Sequence, residues 1–142
     1  DLDLPGILHL VLDLLGEVAA AEKFFIQGIQ ANARGARPEA RIHLTYGTFL
    51  FKLNRLAESQ AQLREAVKLE PENAEAHYGL GKVLFRLKEW KEAARESEAA
   101  LRAGGPDYRV HFLLSRIYTV LGDQHAAALH AARAASLADK RP

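Results

Sequence analysis

The chain has 142 residues, enough for one domain with a continuous buried core. Its 19 lysines and arginines against 18 acidic residues give no overall electrostatic reason to expect nucleic acid or an anionic membrane surface as partner. Cysteine is absent, which excludes disulfides, thiolate metal sites and cysteine nucleophiles.

Lack of cysteine fits cytoplasm and periplasm equally, so the compartment stays unassigned and a soluble protein is expected. Methionine is also absent, even at residue 1, and the chain is expected to be a processed form or an excised piece. The longest apolar run, Ile7 to Leu15, is interrupted by His9 and Asp13. It is far shorter than the roughly 20 residues that cross a bilayer, and it lacks the basic flank of a signal peptide.

Pro5 to Leu15 reads as a first helix, with proline at its opening turn and Gly16 as a stop. Its apolar residues occupy more than one face, so a cover is expected from upstream sequence or another chain. Glu17 to about Ala33 reads as a second helix, broken by Gly35-Ala36-Arg37-Pro38. Arg41 to Leu53 and Leu56 to Leu69 follow, the latter ended by Pro71. Asn73 is an N-cap for Ala74 to Leu87. Trp90 to Arg102 closes on Gly104-Gly105-Pro106, Asp107 caps Tyr108 to Leu121, and Gly122-Asp123 leads into Gln124 to Ala138. No stretch alternates as a strand. The expected fold is all-α, eight helices in four antiparallel hairpins.

From Ala40 onward the sequence repeats every 34 residues without gaps. Leu50, Leu84 and Tyr118 share a column, as do Ala66, Ala100 and Ala134; Gly47 and Gly81 share one that ends in Ser115, and Ser59, Ala93 and Ala127 another. A fixed period of this size marks a helical repeat array. The small columns are where helices cross closely, and the large ones fill space between layers. The first hairpin fits if four extra residues are placed near Gly35 to Pro38, which aligns Leu8, Leu12, Gly16, Ala21, Phe25 and Gly28.

These columns resemble the tetratricopeptide repeat (TPR) family. The central copy shows its pattern at His77, Leu80-Gly81, Leu84, the turn at Lys88-Glu89, then Ala93, Ser97 and Ala100. The resemblance implies a right-handed superhelical TPR α-solenoid of about four repeats in one domain, 1–142. Residues 2–39 would be a degenerate first repeat, followed by 40–73, 74–107 and 108–141.

His9, His43, His77 and His111 also recur every 34 residues. Neighbouring helices lie about 8–10 Å apart and equivalent helices in successive repeats no closer, too far for shared ligation at about 2.0–2.1 Å, so no metal is expected. Each histidine is expected to fill a slot against the previous repeat. His125 and His130 are expected at the surface, and Glu92, Glu96 and Glu98 on a solvated face. No catalytic triad, phosphate loop or dinucleotide fingerprint occurs, so neither enzyme activity nor a cofactor is expected.

In the TPR superhelix the first helix of each repeat lines the concave groove. Helical periodicity then nominates a peptide-binding lining of Arg41, Leu44, Thr48, Phe51, Lys52, Tyr78, Lys82, Phe85, Arg86, Arg109, Phe112 and Arg116, with Thr45, Glu75, Gly79, Leu113 and Thr119 on the same faces. Rings and basic groups together suit a peptide with acidic and apolar side chains. TPR co-chaperones hold the C-terminal carboxylate of the chaperones Hsp70/Hsp90 with Lys, Asn, Asn, Lys and Arg. Those places here hold Leu44, Thr48, Gly79, Arg109 and Leu113, and Arg109 alone has suitable chemistry, so that clamp is not expected. The leading expectation is a non-catalytic protein–protein interaction scaffold. The alternative is a structural module that self-assembles through its apolar terminal helices, as a homo-oligomer or against the rest of a larger protein.

Overall fold

The structure, a computed structural model, describes residues 3–35 and 38–140. These residues form seven helices and no strand: α1 Leu4–Arg34, α2 Arg41–Lys52, α3 Leu56–Leu69, α4 Ala74–Arg86, α5 Trp90–Gly104, α6 Tyr108–Leu121 and α7 Gln124–Asp139. They divide into two units, Asp1–Pro38 and Glu39–Pro142.

In the second unit the helices begin and end close to where their caps and breakers place them. The Asn73 side chain accepts from Ala76 N, Asp107 from Arg109 N, and Asp123 from Ala126 N. Each satisfies a backbone donor that the first turn leaves unpaired. The hairpins α2/α3, α4/α5 and α6/α7 turn at one column of the repeat. Asn54 (φ 60°), Lys88 (φ 65°) and Gly122 (φ 83°) all adopt the left-handed conformation. The next N–H in each case returns to a carbonyl five residues back: Arg55 to Leu50, Glu89 to Leu84 and Asp123 to Tyr118. These bonds satisfy carbonyls at the end of the first helix.

The small columns let the helices approach. A Cβ on Gly47 would lie 2.7 Å from Leu63 Cγ, and one on Gly81 would lie 2.5 Å from Ser97 Oγ. Each hairpin then seats on the previous one. Ala76 packs on Ala66 and Ala40, and Val110 and Leu114 pack on Ala100. A continuous cluster of Leu63, Leu80, Val83, Leu84, Ala93, Ala94, Leu113 and Ile117 runs from α3 to α6.

The first unit departs from expectation. Gly16 does not stop a helix: α1 runs unbroken for 31 residues, so one long helix stands where a hairpin was expected. Glycine permits a turn but does not compel one, and helix propagation gains a hydrogen bond for each residue added. The break at Gly35–Pro38 falls partly on residues 36 and 37, outside the described residues. No residue of α1 is buried; residues 4–17 are all exposed, including Leu4, Leu8, Leu12 and Leu15. Because the helix continues, α1 is long and apolar enough to cross a membrane by length and composition, where the shorter expected helix was not.

Candidate functional site

Helices α4 and α6 each set one face against the preceding hairpin and leave another uncovered. On that second face, together with α2, a pocket of about 220 Å³ is lined by Phe51, Tyr78, Lys82, Phe85, Arg86, Arg109, Phe112, Leu113 and Arg116. Eight of the twelve nominated residues therefore lie together. Leu113, also expected on this face, is 6 % exposed and joins the hydrophobic core while lining the pocket.

The other four sit differently. Leu44 packs on the core clusters, and Thr48 turns its hydroxyl back onto Leu44 O at 2.9 Å. Arg41 and Lys52 are exposed and do not line the pocket. Gly79, expected to open onto the groove, instead faces α3: a Cβ there would lie 3.2 Å from Leu63 Cδ2.

Within the pocket the cations lie over aromatic rings. Lys82 Nζ is 4.7 Å from the Tyr78 ring centroid and 5.1 Å from that of Phe51. The guanidinium of Arg86 lies over Phe51 at 5.4 Å, that of Arg109 over Tyr78 at 4.9 Å, and that of Arg116 over Phe85 at 4.8 Å. Contacts of this kind contribute about 0.5–1 kcal/mol when exposed and more when desolvated. Phe51 and Phe85 also pack against the core, so the same rings seal the seam between repeats and carry the cations.

Charge is concentrated and only partly neutralised. Arg109 bridges Glu75 at 2.6 Å and Asp107 at 2.7 Å, and its guanidinium holds the Asp107 carboxyl below the ordinary carboxylate range. Arg86 donates to Asn54 Oδ1 at 2.8 Å. Burial lowers the Lys82 pKa, and Arg109 and Lys52 lower it further. Burial likewise raises that of Tyr78. A carboxylate entering beside Lys82 would relieve this crowding of like charge.

The histidine column has a partner that sequence reading missed. His43 Nδ1 meets Gln62 Oε1 at 2.8 Å, His77 Nδ1 meets Glu96 Oε2 at 2.6 Å, and His111 Nδ1 meets His130 Nδ1 at 2.9 Å. In every case the partner stands 19 residues later, on the second helix of the same hairpin. His77 also reaches back, through Nε2 to Pro71 O at 2.7 Å. These bonds tie each hairpin together internally, a role the repeat column alone did not suggest, and His77 in addition touches the preceding repeat at Pro71. His9 instead lies exposed beside Asp13.

Three carboxylates expected in solvent are engaged too. Glu92 pairs with Arg64 of α3 at 2.7 Å, Glu96 with His77, and Glu98 accepts from Tyr118 at 3.2 Å. His130 is not a surface residue: its ring stacks on Tyr118 at 5.6 Å. The signal for these pairings was present as a second 34-residue column, at 62, 96 and 130.

Residues 47–107 match the tetratricopeptide repeat family model. No curated protein matches the sequence. Among solved structures, one similar chain is YrrB, described as a TPR protein with an unusual peptide-binding site. It is 28 % identical with a TM-score of 0.69, over 80 % of this chain and 56 % of that one. The chain thus spans little more than half the length of YrrB. MamA is 18 % identical with a TM-score of 0.76, over 95 % of this chain and 72 % of that one. A chain of the CopN–Scc3 complex is 16 % identical with a TM-score of 0.69, over 78 % of this chain and 64 % of that one. Stacked hairpins and a 34-residue period agree with the family match and lead to one conclusion: residues 47–107 belong to the tetratricopeptide repeat family, and the chain is similar in fold to its solved members.

Proposed function

We propose that the chain is a non-catalytic scaffold that holds a peptide segment of a partner protein against the face shared by α2, α4 and α6. The observation that carries this reading is Lys82, half-buried between the rings of Phe51 and Tyr78. Its charge is desolvated in advance and its position is fixed, so less ordering is lost when a carboxylate arrives. Arg116 supplies a second cation over Phe85, and Leu113 an apolar floor. The ligand chemistry is a peptide in which acidic residues flank an apolar anchor, since aromatic and arginine groups dominate binding energy at such sites. The YrrB likeness supports peptide recognition as the general mode.

The test is fluorescence anisotropy with labelled acidic peptides containing a leucine or phenylalanine anchor. The double variant Lys82→Ala, Arg116→Glu is expected to bind at least about tenfold more weakly, equivalent to about 1.4 kcal/mol. Unchanged affinity would remove the groove assignment.

A further inference from the structure

We propose that α1 is a repeat hairpin opened at Gly16, and that its apolar first half, Leu4–Leu15, docks in the groove at the α6/α7 end of a second copy of this chain. The proposal does not depend on the peptide-binding reading.

Set 38 residues ahead of α2 and α3, α1 falls into the repeat's register. Leu8 and Leu12 align with Leu80 and Leu84, Ala21 with Ala93, and Gly28 with Ala100. In that register Gly16 aligns with Asn54, Lys88 and Gly122, the three residues with φ near +60° to +83° that turn the hairpins. Packing gives no reason for a glycine at position 16, because a Cβ there would meet nothing within 4 Å. In mid-helix it costs about 1 kcal/mol relative to alanine. What Gly16 retains is the capacity to turn.

The receiving groove is a cavity of about 550 Å³ whose lining includes Tyr108, Phe112 and Ser115 from α6 and Ala131, Ala134 and Ala135 from α7. One period earlier, the places of those alanines are held by Ser97, Ala100 and Leu101, and Ala100 and Leu101 are where α6 seats Val110 and Leu114. Two periods earlier they are held by Leu63, Ala66 and Val67, the seat of α4. The groove therefore has the form of a helix seat.

α1 carries the side chains that such a seat accepts. The seated helices present Ala76, Leu80 and Val83, then Val110, Leu114 and Ile117. The same places on α1 are Leu4, Leu8 and Val11, exposed by 65, 59 and 43 %. His9, Asp13 and Glu17, at four-residue steps, lie on the opposite side of a helix with 3.6 residues per turn. Docked, they stay in water. In a bilayer each charge would cost about 2.5–3.5 kcal/mol near the centre, which disfavours a membrane as the occupant.

Charge favours the same match. No lysine or arginine precedes Lys23, whereas Asp3, Asp13 and Glu17 do; α6 and α7 carry Arg109, Arg116 and Arg133 against Asp139 alone. The column Arg41, Glu75, Arg109 continues in Asp3, alternating in sign, and Arg109 already pairs with Glu75 one repeat back. Helix into groove is a head-to-tail contact, with different surfaces on the two copies, so it adds copies in succession, as open chains or as rings where the rotation closes.

Sedimentation velocity of the 142-residue chain is expected to show association that grows with concentration. Leu8→Glu and Ala135→Glu change exposed positions and should leave the melting temperature of the dilute protein unchanged. Each alone should be monomeric. Mixed in equal amounts they should form a dimer that grows no further, one copy supplying the helix and the other the groove. A wild-type chain that stays monomeric at every concentration overturns the proposal. So does wild-type association by either variant, or a monomer that co-sediments with phosphatidylcholine–phosphatidylserine vesicles through α1.

Discussion

His111 on α6 and His130 on α7 face each other Nδ1 to Nδ1 at 2.9 Å, so one ring donates a proton and the other accepts it. Burial, then His130 and Arg133, hold the His111 pKa below the ordinary 6.5, while Glu98 and Asp107 oppose the shift. The unfolded chain therefore takes up this proton more readily than the folded one. Stability is expected to fall as pH drops below 6.5 toward the folded-state value, and to be retained above it. His130→Glu would copy the His77–Glu96 pair of the preceding hairpin and favour the charged ring. Thermal melts above and below the histidine range should show a smaller acid loss in this variant than in wild type. An equal loss in both would assign the acid sensitivity elsewhere.

Gly47 and Gly16 predict opposite responses to the same change. At Gly47 a methyl group would press on Leu63, which is 1 % exposed and has no room to retreat. Overpacking of this kind costs about 1–3 kcal/mol, offset by about 1 kcal/mol of helix propensity. Gly47→Ala should therefore lower the denaturation midpoint. Gly16→Ala meets nothing and should slow amide hydrogen exchange along α1 through that same propensity gain. A stabilised Gly47→Ala would show that α2 and α3 can separate without cost.

Glu75 is exposed on the groove face and occupies one side of Arg109. Its pair contributes little to stability, since exposed ion pairs are worth about 0–1 kcal/mol. Glu75→Ala should leave the melt nearly unchanged yet strengthen binding of acidic peptides several-fold, and the gain should shrink as salt is added. Weaker binding would mean that Arg109 needs Glu75 for its orientation.

What could be read from sequence follows the physics of stacking. Six helices of Glu39–Pro142 were legible because each small or large column answers a contact that recurs in successive hairpins, and because Asn73, Asp107 and Asp123 mark their own helix starts. Eight lining residues were legible for the same reason: the packed face of α4 and α6 leaves only one other face for them. Three features needed the third dimension. Gly16 allows both a turn and a continuing helix, and nothing local decides between them. The bonds from His43, His77 and His111 cross between helices, so only the hairpin's geometry reveals a 19-residue partner. Leu113 and Gly79 sit where helix faces meet, and the burial of Leu113 and the close approach of Gly79 to Leu63 depend on how closely α3 and α6 approach α4.

Phe85 has an occupant on each side: Arg116 at 4.8 Å and, edge-on at 5.2 Å, Trp90, the chain's one tryptophan. The indole is thus separated from the pocket by a single ring. Any ligand that lifts Arg116 from Phe85 changes the electric field at the only indole chromophore. The native protein carries its own optical reporter of groove occupancy, and a titration followed by intrinsic emission needs no dye on either partner.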